Sequence, residues 1–293
     1  YVEQYDQYMS YSEYSQYRQY MTMYGQSVFG TPFFFGEQEI TSAIDYVTTD
    51  TLPVVYYTSK HGEATINSTY TEAIADENID LRELDMLSSA SIPDDAEAII
   101  IYAPTMDFSD SEAELIIDYI TSGGNVMLFT GYDSDVNTAL PNIAKICDTM
   151  GLSAEDGTLF EDAAHYYQQA PYIALPALNA SSVPASLMKS TNVSIVAPFA
   201  HGIVENENAA YTVTPILTSS SKAYIKKSIE GLTESTITKS DNDVTGEFLL
   251  GGNIRRQHRF RQLRLVFVIR AAECKPHAVR QQRPLHLNTE FNV

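Results

Sequence analysis

The sequence predicts a three-layer α/β protein with a mostly parallel, Rossmann-like sheet, and three observations carry that prediction. Short and almost wholly apolar runs at residues 53–58, 98–102 and 125–129 have the length and β-branched content of buried strands. Residues 37–48, 69–77 and 109–120 place apolar side chains at helical spacing. Strand and helix patterns alternate along the chain, an order that gives parallel strands joined by crossover helices and covered on both faces.

The elements follow in order. Residues 1–24 hold 8 of the 20 tyrosines, with Tyr at 5, 8, 11, 14, 17 and 20. That three-residue period matches neither helix nor strand, so residues 1–36 read as a Tyr-rich low-complexity linker, with a sticky aromatic surface as the alternative. Residues 37–48 then space Ile40, Ala43, Ile44 and Val47 as a helix face. The strand at 53–58 is followed by a helix at 69–77 and a weaker strand at 79–83. The strand at 98–102 ends before Pro104, and Ser109 with Glu112 forms a capping-box pattern that opens a helix running to Ile120. Gly123-Gly124 stops it ahead of the strand at 125–129, and residues 139–150 read as one more helix ended by Gly151. Beyond Gly151 the pattern is less regular: prolines at 171, 176, 184 and 198 interrupt short apolar pieces, and residues 194–197, 211–217 and 244–250 read as further strands.

Charge narrows the function. The 293 residues carry 18 Lys+Arg against 38 Asp+Glu, a formal net charge of −20. Residues 1–254 hold 9 basic and 36 acidic side chains (net −27), and residues 255–293 hold 9 basic and 2 acidic (net +7). The acidic body repels phosphate backbones, so no nucleic-acid role is expected. The two cysteines, Cys147 and Cys274, form no CxxC pair, which excludes a zinc ribbon or a thioredoxin-type motif. No apolar run reaches the ~18–20 residues that span a bilayer; any membrane anchor is expected in segments outside this chain.

In parallel sheets, sites gather beyond the carboxyl ends of strands. Three such ends carry polar groups: Lys60-His61-Gly62-Glu63, Pro104-Thr105-Met106-Asp107 and Thr130-Gly131-Tyr132-Asp133. His61, Gly62, Glu63, Pro104, Asp107 and Asp133 are therefore the candidates for a ligand- or partner-binding rim. A histidine among carboxylates also suits acid–base or metal chemistry; the plain alternative is that these turns cap helices and satisfy backbone groups. There is no G-x-S-x-G or G-x-C-x-G elbow, no Walker A loop and no G-x-G-x-x-G fingerprint. No catalytic residue, metal or cofactor is expected, and the chain is read as not an enzyme. Cys147 sits in a helical apolar context as a buried structural thiol. His165 and His201 read as surface or loop histidines with no partner at ligand spacing. Sequons at Asn67, Asn179 and Asn192 matter only in a eukaryotic secretory setting.

The run Leu52-Pro-Val-Val-Tyr-Tyr-Thr-Ser-Lys-His-Gly-Glu63 resembles the opening of the GldG-like auxiliary domain of ABC-type transport systems. Ile92-Pro-Asp-Asp-Ala-Glu-Ala-Ile-Ile-Ile-Tyr-Ala-Pro104 and Asp107-Phe-Ser-Asp-Ser-Glu112, with Tyr119 and Gly123-Gly124, are similar to that family's next segments. Ala197-Pro-Phe-Ala-His-Gly-Ile203 and Val213-Thr-Pro-Ile-Leu-Thr-Ser219 resemble later ones, and Asp45-Tyr-Val-Thr-Thr-Asp50 fits the Gram-positive version. The likeness covers residues 37–252, with a regular sheet core over about 37–151. It implies a class I glutamine-amidotransferase-like topology without the nucleophile. It also implies a non-catalytic domain on the extracytoplasmic face of a bacterial membrane, in an accessory subunit beside an ABC-type permease and its ATPase. Envelope polymer is a further implied ligand; a degenerate hydrolase using His61, Glu63 and Asp107 and an envelope glycan binder are the alternatives. One departure is Ser59-Lys60, where the family has glycine before His-Gly-Glu. This weakens any argument that the loop needs a fixed backbone approach to a ligand.

Residues 253–293 break the pattern. They contain 8 Arg, whereas residues 1–254 contain only Arg18 and Arg82. A change of reading frame produces such a switch; a native basic arm for anionic lipid or an acidic partner and a terminal strand at residues 263–269 are the other readings.

Overall fold

A computed structural model describes residues 36–49, 51–131, 136–162, 164–167, 169–179, 195–206, 211–227, 237–256 and 265–268. The chain divides into two compact units, Tyr1–Thr51 and Leu52–Val293. The first unit's described element is helix α1 (Gly36–Thr48), the helix expected to open the α/β domain. Its apolar residues Ile40, Ile44 and Val47 are exposed. The Tyr-rich repeat lies outside the described residues.

The second unit is α/β. Strand β1 (Val54–Ser59) leads through α2 (Ser68–Asp76) to β2 (Asp80–Asp85), and β3 (Ala96–Tyr102) through α3 (Asp110–Thr121) to β4 (Asn125–Phe129). The strands pair in parallel in the order β2-β1-β3-β4. Right-handed crossovers run outward in opposite directions from β1 and β3, which sets α2 and α3 on opposite faces. Capping fixes the helix starts: the Asn67 side chain accepts the Thr69 amide, and Ser109 with Glu112 forms the reciprocal capping box. Along β1 and β4 one face is fully buried and the other partly so, and along β3 Ile99 and Ile101 are buried on the face whose first residue, Glu97, is exposed. Ile99, Ile101, Val126 and Leu128 pack in one core cluster with Ala113, Ile116 and Ile120 of α3.

Two expectations shift here. The helix expected over 139–150 is two: α4 (Val136–Ala139) and α5 (Pro141–Thr149). Pro141 has no N–H and holds the residue before it out of the helical region, so Leu140 sits at φ −130°, ψ 61° and α5 starts afresh. The weak strand at 79–83 extends to Asp85 because it pairs along all six residues of β1.

Beyond α5 come β5 (Leu152–Ala154), β6 (Thr158–Phe160), β7 (Tyr166–Tyr167), β8 (Ala170–Ala174), β9 (Ala177–Leu178), β10 (Ala197–Pro198), β11 (Ile203–Glu205), β12 (Tyr211–Thr218), β13 (Tyr224–Lys226), β14 (Val244–Thr245), β15 (Leu249–Arg256) and β16 (Leu265–Val268). The strand read at 244–250 is thus two, β14 and the start of β15. The main sheet continues from β4 through β16, β15 and β11 to β5, and β12 pairs along β15. Strand β16 lies parallel to β4 and antiparallel to β15, so the terminal-strand reading of residues 263–269 corresponds to an element inside the sheet. Residues 253–256 of the basic tail end β15, and the remainder lies outside the described residues. Two three-stranded sheets, β10-β8-β7 and β14-β13-β6, complete the irregular half. Among the described residues no helix is long and apolar enough to cross a membrane.

Candidate functional site

The order β2-β1-β3-β4 reverses direction between β1 and β3, and a sheet leaves a crevice at the carboxyl ends flanking such a reversal. The loops after β1 and β3 meet there. The His61 carbonyl accepts from the Thr105 and Met106 amides at 3.0 and 2.9 Å, the Ala64 amide donates to Tyr102 at 3.0 Å, and the Thr105 hydroxyl donates to the Gly62 carbonyl at 3.1 Å. So tight a seam leaves no room at Gly62, whose φ is +67°: a Cβ there would lie 2.2 Å from the Thr105 hydroxyl oxygen. Lys60 stands at φ 81°. The loop takes a left-handed backbone at Lys60, which a lysine adopts where glycine would do so freely.

The seam holds His61 inward, 4 % exposed. Its ring packs edge-on to Phe108 at 4.6 Å, and Nε2 lies 3.3 Å from Oε2 of Glu112 on α3. Glu112 also accepts the Ser109 amide and hydroxyl, each at 2.7 Å. Burial disfavours its charged form, but the Ser109 amide, the Ser109 hydroxyl and the His61 ring outweigh burial and hold the carboxyl below the usual range. Glu63 folds back so that one oxygen accepts the His61 amide at 2.7 Å. Thr58 Oγ1, His61 Nδ1, Glu63 Oε1 and Thr130 Oγ1 are buried at this end of the sheet without a hydrogen-bond partner in the protein.

The candidate rim is therefore only partly assembled. His61, Gly62 and Glu63 come together, and buried Pro104 precedes the stitched Thr105. Asp107 is drawn away: its carboxylate accepts the Asn142 amide at 2.9 Å and the Ile143 amide at 3.1 Å. It caps α5, whose own N-cap residue Leu140 offers no side-chain bond. Removing that cap in Asp107→Ala is expected to cost about 1–2 kcal/mol in urea unfolding, with Asp107→Asn recovering part of it through the remaining carboxamide oxygen. Asp133 lies outside the described residues.

Sequence reasoning missed Glu112 as a site residue. Its capping role was legible from the Ser109 spacing, but its contact with His61 depends on how α3 packs across the sheet. Beside Glu112, a groove of about 520 Å³ runs between α3 and the segment after β2. Met86, Leu87, Ala90 and Leu115 give it apolar lining, and Glu114 and Asp118 give it an acidic edge. Leu87 is 70 % exposed there.

The remaining singled-out residues divide. Cys147 is buried on α5, and burial pushes its thiol far above the ordinary value, as a structural thiol requires. His201 is buried rather than on the surface, because its Nδ1 reaches the Gly157 carbonyl at 2.6 Å. His165 does have a partner at ligand spacing: Nδ1 lies 2.7 Å from Asp162 Oδ1, brought there by the turn between β6 and β7.

No family model matches the chain, and no curated protein matches it. Among solved structures it is similar to the "mmIFT52 N-terminal domain", with a TM-score of 0.51 and 15% identity over 73% of this chain and 84% of that one. It is also similar to a ThuA-like protein from Bacteroides uniformis (TM-score 0.40, 15% identity, 73% and 80% covered) and to a glutamine amido transferase from Methylobacillus flagellatus (TM-score 0.34, 16% identity, 57% and 61% covered). At the identity of the first, what is shared is the fold: this is an α/β chain built on a largely parallel sheet core.

Proposed function

We propose that this chain is a non-catalytic recognition domain, the extracytoplasmic part of an accessory subunit of an ABC-type transport system. It would act beside the permease and ATPase by binding a partner protein or an envelope ligand. The resemblance of residues 37–252 to the GldG-like domain supplies the setting. The observation that carries the non-catalytic reading is the fate of the rim carboxylates: Glu63, Asp107 and Glu112 each accept a backbone amide. A carboxylate whose oxygens are turned to backbone amides is not aimed at a substrate proton, as a general base must be. The groove with exposed Leu87 gives such a domain a surface to present.

A second reading, a hydrolase remnant, draws on the buried His61–Glu112 pair, which has the form of a base with its orienting carboxylate. Co-expression with candidate ABC-type permease and ATPase subunits separates the two. The recognition reading expects co-purification that weakens in Leu87→Glu, an exposed position where the fold tolerates change. It is overturned if no partner is retained, or if His61→Ala keeps its stability and loses turnover on an ester, amide or glycan substrate.

A further inference from the structure

We propose that Glu161, Asp162 and His165, on the turn between β6 and β7, form a binding site for a divalent transition-metal ion such as zinc. One ligand atom from each of the three lies within 4.8 Å of the others, and the His165 Nδ1 to Asp162 Oδ1 distance is 2.7 Å. Ligands held about 2.0–2.2 Å from zinc stand roughly 3–3.5 Å apart, so small side-chain rotations convert the present spacing into a coordination set.

Hydrogen bonds tie down the described residues that carry these donors. The Glu161 amide donates to Pro171 at 2.8 Å, the His165 amide to Asp162 at 3.1 Å, and the Leu175 amide to His165 at 2.7 Å. The Ala164 amide donates to the Asp162 carboxylate at 3.2 Å. Residues held in this way lose less conformational freedom on binding.

Charge provides an independent argument for a cation. Glu161 is 2 % exposed. Its two oxygens accept the Ser220 amide at 2.8 Å and the Ser220 hydroxyl at 2.7 Å, and among the described residues no lysine or arginine is within ion-pair distance of it. A second carboxylate, Asp162, stands beside it. Two neighbouring carboxylates, one of them buried with only neutral hydrogen-bond donors, favour a cation beside them. Lys222 is the nearby candidate, but its ammonium is 3.8 Å from Asp162, with a side chain 78 % exposed, and water screens much of its charge. A divalent ion seated among the three would compensate both carboxylates. The imidazole donor selects zinc or nickel over magnesium or calcium, which prefer oxygen alone.

Calorimetric titration of the full chain with zinc, with magnesium as the comparison ion, tests the site. Saturable zinc binding is expected, weakened by about tenfold or more in His165→Ala and in Asp162→Asn. Lys222→Gln, an exposed substitution that leaves the fold intact, is expected to tighten binding by removing the competing cation. The proposal is overturned if zinc does not bind up to millimolar concentration or if magnesium binds as tightly. It is also overturned if His165→Ala and Lys222→Gln both leave the affinity unchanged, the outcome for zinc held by other histidines.

Discussion

Ile101→Ala is expected to lower the unfolding free energy by about 3–4 kcal/mol, the largest loss from any single substitution considered in this chain. Ile101 has no exposed surface and lies on β3, between β1 and β4, in the cluster that includes Ile116 and Ile120 of α3. Truncation removes three buried carbons from a layer held on both sides, so the cavity has little scope to collapse; such changes cost about 2–5 kcal/mol. Ile101→Val, which deletes one methylene, is expected to cost about 0.5–1.5 kcal/mol. Urea unfolding of the two variants gives the ratio directly. Equal and small losses would mean that β3 is not the centre of the sheet.

Glu112→Ala is expected to cost about 2–4 kcal/mol, from a lost helix cap of about 1 kcal/mol and a buried imidazole left unpaired at about 1–3 kcal/mol. The loss depends on pH. The Glu112 carboxyl is held below its ordinary value in the folded chain. The depressed value makes its contribution fully present above the unfolded value of about 4.3 and lost as pH falls through the folded value. Urea midpoints between about pH 7 and pH 3 should therefore fall for the parent chain. The acid-dependent part of that fall should be smaller in Glu112→Gln, which has no carboxyl to titrate. Parallel curves for the two chains would remove Glu112 from the account.

The parts of this fold that were legible in the sequence are those fixed by local chemistry. The apolar runs of β1, β3 and β4 declare themselves because the buried positions recur along each strand, as at Ile99 and Ile101 of β3, and α3 because Ser109 and Glu112 form a cap detectable at a spacing of three. What was not legible depends on tertiary approach. A terminal strand at 263–269 is one reading of the arginine-rich tail, but its position between β4 and β15 inside the sheet was not legible. Asp107 has the look of a rim carboxylate by position, yet Pro141 restarts a helix with no cap of its own, and the carboxylate turns to those amides. His201 reads as a loop histidine until β6 and the segment before β11 bring the Gly157 carbonyl beside it.

The central claim is that the polar groups after β1 and β3 hold the fold together rather than perform chemistry. A double-mutant cycle on His61 and Glu112, read by urea unfolding at neutral pH, tests it most directly. The account predicts that His61→Ala and Glu112→Ala each destabilise the chain and couple by about 0.5–3 kcal/mol, the range for residues in direct contact. Two single variants as stable as the parent, with additive effects in the double variant, would contradict it.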